Sequence, residues 1–168
     1  LAALALGSAM ALPMTAMLNA LQNYKGLPHR CRFVKQTKSV RWFNDSKATN
    51  VGATLAAIEG LADLGKLILI AGGIAKDQDF SALTPVLEQS VRVVVLLGQD
   101  AAEIAKVVPK SVVTILAENM QDAVTKASEV ACAGENILLS PACASFDMFS
   151  GYEQRGDTYE QLVEELSA

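Results

Sequence analysis

The stretch from Ser140-Pro141-Ala142-Cys143-Ala144-Ser145 to Asp157 holds the densest set of residues able to meet a ligand. It follows the apolar run Ile137-Leu138-Leu139, which predicts a buried strand. Its small residues let backbone approach a bound molecule closely. Ser140 and Ser145 bring hydroxyls. Phe146 and Tyr152 bring rings that suit either a pocket wall or plain core. Two further segments have comparable chemistry. One carries Asp45, Lys47 and Thr49, and the other is Gly72-Gly73-Ile74-Ala75-Lys76. Each follows a run that reads as a strand. Open α/β sheets bind ligands in the crevice outside the carboxyl ends of their strands, so segments far apart in sequence can converge there. Two lysines, two hydroxyls and helix N-termini suit an anion, either a carboxylate or a phosphate. The same residues also read as solvated loop charges, with Ser145 as a helix cap.

Other chemistries are disfavoured. The sequence has no Gly-x-Gly-x-x-Gly, no Walker A and no Gly-x-Ser-x-Gly elbow. Its single histidine, His29, argues against a catalytic triad or a histidine metal site and reads as a solvated turn residue. Cys31, Cys132 and Cys143 are an odd set without a Cys-x-x-Cys, which fits a reducing compartment. Cys143 reads as a small buried thiol rather than a nucleophile. Arg30 suits either a phosphate held by a preceding domain or a plain surface strand. The net charge of -4, with no Lys/Arg cluster, gives no case for nucleic acid.

The elements that must position these groups follow from periodicity. The chain of 168 residues is 51% hydrophobic but only 5% aromatic, as expected for one aliphatic α/β domain. Leu1 to Leu18 is small and apolar, but it lacks a basic start and is broken by Pro13. It therefore reads as buried helix of a neighbouring domain rather than a signal peptide or membrane span, and the start at Leu1 reads as a fragment. Helix continues through Leu21 and Gln22 and stops at Gly26-Leu27-Pro28. Arg30–Val34 and Val40–Asn44 predict a hairpin turning at Thr37-Lys38-Ser39. Thr49 or Asn50 caps a helix over Val51, Leu55, Ile58 and Ala62, with Gly65 as its stop. Strands are predicted at Leu67–Ala71, Val91–Leu97, Val112–Leu116 and Ile137–Leu139. Helices are predicted near Leu83–Leu87, over Ala101–Val108 capped by Asp100, after Asn119, and from Asp157 or Thr158 onward. Continuous apolar strands alternating with helices imply a mostly parallel sheet.

Taken together, several segments resemble the Mur ligases. They are Gly26-Leu27-Pro28-His29-Arg30, Asn44-Asp45-Ser46-Lys47-Ala48-Thr49-Asn50, Gly72-Gly73 with Lys76, and Ser140-Pro141-Ala142-Cys143-Ala144-Ser145 through Glu153-Gln154-Arg155-Gly156. The likeness covers essentially the whole chain and is strongest to the members that add D-glutamate. It departs at Ile74-Ala75, where some relatives have an acidic residue and Gly. It departs again at Phe146 and Tyr152, where some have Leu and Phe.

The resemblance implies a Rossmann-like C-terminal domain over residues 26–168, with helices on both faces of the sheet and an N-terminal hairpin. Residues 1–25 would be the last helices of a central ATPase domain. It implies ATP-dependent addition of D-glutamate to UDP-N-acetylmuramoyl-L-alanine through an acyl phosphate, in the cytoplasm, with no membrane insertion. The P-loop, and most of the magnesium site, would belong to the central domain. Carried over by position, Arg30 faces the ATP phosphates and Asp45 the nucleoside. Lys47 is catalytic, beside the acyl phosphate. Thr49, Lys76 and Ser145 hold the D-glutamate carboxylates, and Phe146 and Tyr152 shape that pocket. The alternatives are the same domain of another Mur or folylpolyglutamate-type ligase, or a non-catalytic amino-acid or nucleotide binding module.

Overall fold

Strands β3 (Leu67–Gly72) and β6 (Asn136–Leu139) are buried along their whole length. Strand β4 (Val91–Leu97) is buried except at Arg92. Such runs have no solvent face and need cover on both sides. The computed structural model, which describes residues 1–24 and 26–166, provides it. Six strands form one sheet in the order β1-β2-β6-β3-β4-β5, with β1 at Arg32–Thr37, β2 at Val40–Asn44 and β5 at Val113–Leu116. The hairpin pair β1–β2 is antiparallel and every other pairing is parallel.

Alternate residues of the central strands feed two cores. Leu67, Leu69, Val94 and Leu138 pack with Ile58 of α3 (Val51–Leu61), Leu87 of α4 (Thr84–Ser90) and Ile104 of α5 (Ala101–Ala105). Ile68, Ile70, Val93, Val95 and Ile137 pack with Val124 and Ala127 of α6 (Met120–Val130) and with Tyr159 and Val163 of α7 (Tyr152–Glu165). Asn50 caps α3 by accepting from Ala53 N at 2.9 Å, and Asn119 caps α6 by accepting from Asp122 N at 3.0 Å.

Two expectations change. Helix α7 starts at Tyr152, well before Asp157. Gly156, inside the helix, lets it back closely onto the sheet, where an added Cβ would lie 2.2 Å from His29 Nδ1. Asp100 makes no cap for α5; its carboxylate turns away to Ala75 N. As expected from Pro13, the N-terminal apolar stretch is broken there into two helices, α1 (Ala2–Ala9) and α2 (Met14–Asn23). Their apolar residues, including Leu6, Met14, Leu18 and Leu21, are exposed in this chain. The expected boundary at Lys25 lies outside the described residues. No helix among the described residues is long and apolar enough to cross a membrane.

Candidate functional site

Strand β6 is inserted between β2 and β3, and this insertion assembles the site. Leu139 pairs with Asn44 on one side and Ile70 on the other, so the three strands end at nearly the same level. Their loops leave side by side. Asp45 N donates to Leu139 O at 2.8 Å and Gly72 N donates to Pro141 O at 2.9 Å. The loops after β3 and β6 then pair directly. Ile74 N donates to Ala144 O at 2.9 Å and Ala144 N donates to Ile74 O at 3.0 Å. Gly73 permits this approach, because a Cβ there would sit 2.1 Å from Ala144 O. Lys76 follows Ile74 by two residues, and Ser145 follows Ala144 directly.

Gln78 ties in the third loop. Its Oε1 accepts from Val51 N at 3.1 Å, at the start of α3. Its Nε2 donates to Ala75 O at 2.7 Å and to Ala142 O at 3.1 Å. The segments bearing Thr49, Lys76 and Ser145 are therefore fastened through one side chain. Lys76 is exposed, in a left-handed turn (φ +53°) that it shares with Asp77; Thr49 is half-buried and Ser145 buried.

Arg30, Asp45 and Lys47 share a separate cavity of about 370 Å³, floored by Ala48, Ala53, Ala57 and Gly60. Asp45 is 8% exposed. Its Oδ1 accepts from Cys31 N at 3.0 Å and its Oδ2 from the Ser140 hydroxyl at 2.8 Å. Burial pushes the Asp45 carboxyl up from its ordinary value, against the pull of these hydrogen bonds and of Arg30. Lys47 N donates to His29 O at 3.0 Å, while Lys47 Nζ stands 3.7 Å from the Tyr152 ring centroid. Tyr152 thus sits with Lys47, and Phe146 is 65% exposed. Two cations beside a floor of small apolar residues fit an anionic ligand with a flat apolar part.

A sequence profile described as "Mur ligase, glutamate ligase domain" matches residues 29–143. The chain belongs to the Mur ligase family. It is 54% identical over 166 residues to the UDP-N-acetylmuramoylalanine--D-glutamate ligase of Nitrosococcus oceani, covering 99% of this chain and 37% of that protein. The same-named protein of Coxiella burnetii is 49% identical over 168 residues, covering 99% and 38%. This Mur ligase chain thus spans less than two fifths of the length of these relatives. Among solved structures, the MurF ligase of Thermotoga maritima in complex with ADP superposes with a TM-score of 0.66 at 16% identity, covering 96% of this chain and 37% of that one. The bifunctional folylpolyglutamate synthase/dihydrofolate synthase of Yersinia pestis, complexed with AMPPNP and Mn ion, gives 0.65 at 18%, covering 90% and 35%. These two likenesses are of fold.

The site of this Mur ligase chain also depends on residues to which sequence reasoning gave no role. Arg155 is 2% exposed and staples two loops together. It donates from Nε to Ser46 Oγ at 3.0 Å, from Nη2 to Ser46 O at 2.8 Å and from Nη1 to Cys143 O at 3.1 Å. Burial pushes its guanidinium down to about 10, so it stays charged at neutral pH. Its signal was the four-residue spacing to Tyr159 and Val163, which puts Arg155 on the buried face of α7. Asn44 Oδ1 accepts from Ser46 N at 3.0 Å, and its Nδ2 faces Glu160 Oε1 at 2.8 Å and His29 Nδ1 at 3.1 Å. His29 is not a solvated turn residue. It is 7% exposed, packed against Asn44 and Gly156 with Nε2 3.6 Å from the Asp157 carboxylate. Cys143 agrees with the sequence reading: it is fully buried, and its thiol is pushed up to about 12.

Proposed function

We propose that this chain is the amino-acid-binding part of an ATP-dependent ligase that joins D-glutamate to UDP-N-acetylmuramoyl-L-alanine in cytoplasmic peptidoglycan synthesis. The observation that carries this reading is the two-way Ile74–Ala144 bridge with Gln78 across it. It gathers the Thr49, Lys76 and Ser145 segments on one rim, next to the cavity of Arg30, Asp45 and Lys47. An ammonium and two hydroxyls on neighbouring loops match the two carboxylates of glutamate. The relatives named as D-glutamate ligases, each spanned over 99% of this chain, support the same substrate.

The chemistry needs positioning and charge stabilisation more than a nucleophile. The nucleotide-sugar carboxylate attacks the γ-phosphorus of ATP and ADP leaves, giving an acyl phosphate. The D-glutamate amine attacks the acyl carbon. The tetrahedral intermediate expels phosphate, which keeps the bonding electron pair, and the nitrogen gives up a proton. Arg30 and Lys47 offset phosphate charge, and Asp45 orients the nucleoside. Thr49, Lys76 and Ser145 fix the diacid, with Phe146 and Tyr152 as flanking walls. Magnesium, when bound, would offset phosphate charge. Its protein ligands are proposed to come mainly from the central ATPase domain of the full ligase; among the described residues no group of three or more His, Cys, Asp and Glu side chains is placed to hold a metal ion.

The test is phosphate release by the full-length ligase containing this chain, supplied with ATP and UDP-N-acetylmuramoyl-L-alanine. D-glutamate is expected to support turnover, while L-lysine and meso-diaminopimelate are not. Turnover with one of those amino acids instead of D-glutamate would overturn the assignment.

A further inference from the structure

We propose that Asp100 and Asp147 are positioning residues that set the separation of Lys76 and Ser145, and with it the length of diacid accepted. The inference rests on the D-glutamate reading of Lys76 and Ser145. It concerns a loop that carries no candidate ligand of its own, residues 98–100 after β4. This loop packs against both of the loops that bear Lys76 and Ser145. Asp147 Oδ2, two residues beyond Ser145, accepts from Gln99 N at 2.9 Å. The next residue, Asp100, accepts from Ala75 N through Oδ2 at 2.8 Å, and Ala75 directly precedes Lys76. Asp100 N donates to Gly73 O at 3.0 Å. The two carboxylates thus form a relay from Ser145 through Gln99 and Asp100 to Lys76, beside the direct Ile74–Ala144 pairing.

Packing shows how closely this loop meets both. A Cβ on Gly98, which has φ +89°, would lie 2.5 Å from Asp147 Oδ2 and 2.7 Å from Gly73 N, so one residue touches both ligand loops. Asp147 Oδ1 is buried without a hydrogen-bond partner. Leaving one buried carboxylate oxygen unpaired costs stability, so Asp147 is held where it is by its Oδ2 contact at Gln99 and by packing rather than by full satisfaction of its own oxygens. At Lys76 the backbone is left-handed, a conformation that non-glycine residues keep only when neighbours enforce it. The Asp100 bond to the preceding amide supplies that enforcement.

The test uses the full-length ligase containing this chain, with Asp100→Ala, Asp100→Asn, Asp147→Ala and Lys76→Ala compared by steady-state kinetics. Asp100→Asn keeps an oxygen that can accept from Ala75 N. Asp100→Ala is expected to raise the D-glutamate KM about tenfold or more. The ATP KM should stay within about twofold, and the preference for D-glutamate over the shorter D-aspartate should narrow. Asp147→Ala should act in the same direction, which keeps the proposal testable if Asp100→Ala does not fold. Asp100→Asn should return the D-glutamate KM to near wild type. If Lys76→Ala raises the D-glutamate KM while the folded aspartate variants leave KM and selectivity unchanged, the positioning role is wrong and the site assignment stands. If Lys76→Ala has no effect, the site assignment fails, and this inference with it. Equal losses for ATP and D-glutamate in the aspartate variants would reduce both residues to fold maintenance and overturn the proposal.

Discussion

Lys47 Nζ lies 3.7 Å from the centroid of the Tyr152 ring, on the face of the aromatic rather than in an ion pair. The ring restrains the ammonium without neutralising it, which leaves its full charge available to a phosphoryl group. Lys47→Ala in the full-length ligase should lower kcat by about a hundredfold or more, the scale of losing a charge-stabilising group. Tyr152→Ala should lower kcat/KM only about two- to fivefold, as expected for one partly exposed cation–π contact, and Tyr152→Phe should be near neutral. Steady-state kinetics on the three variants checks the order.

Gln78 joins three loops with one amide. Gln78→Ala should destabilise the fold by about 1–3 kcal/mol and raise the D-glutamate KM. Gln78→Glu should be worse than Gln78→Ala. The carboxylate can still accept from Val51 N, but it faces the carbonyl oxygens of Ala75 and Ala142 with no proton to donate. Urea unfolding and D-glutamate titrations measure both effects, and a Glu variant as stable as wild type would contradict the clamp.

Asp45 is a buried carboxylate whose pKa is raised in the folded state, chiefly by loss of solvent. The sign follows from linkage. The folded protein binds this proton more tightly than the unfolded chain, so the ionised group lowers stability above the folded pKa. That cost disappears as pH falls below the ordinary aspartate value of 3.8. Asp45→Asn should therefore melt higher than wild type at pH 7, the gap should shrink on acidification, and activity should fall. Thermal melts across this range decide it; a gap that widens toward acid would refute the sign.

The sequence makes the central strands legible because a strand buried on both faces must be apolar throughout, as Leu67–Gly72 and Asn136–Leu139 are but for Asn136. The caps at Asn50 and Asn119 are legible because a side-chain acceptor at a helix start is a local rule. The Mur ligase segments are legible as runs of sequence, and three of them lie on loops that the sheet brings side by side. What sequence leaves hidden is non-local. The insertion of β6 between β2 and β3, which brings Ile74 against Ala144, follows from chain topology. The start of α7 at Tyr152, and the close approach of Gly156 to His29 within it, join residues far apart in sequence. His29 reads as polar and exposed, and the same contact buries it. The relay through Gln99 and Asp100 has no sequence signature, since it depends on a loop two strands away from Ser145.

The proposed function requires one rim of the sheet to hold a small diacid between Lys76 and Ser145. The most direct measurement is the D-glutamate KM of Lys76→Ala in the full-length ligase, read beside the ATP KM. Removal of one charged partner of a carboxylate should raise the D-glutamate KM about tenfold to a hundredfold and leave the ATP KM within about twofold. A D-glutamate KM equal to wild type would contradict it.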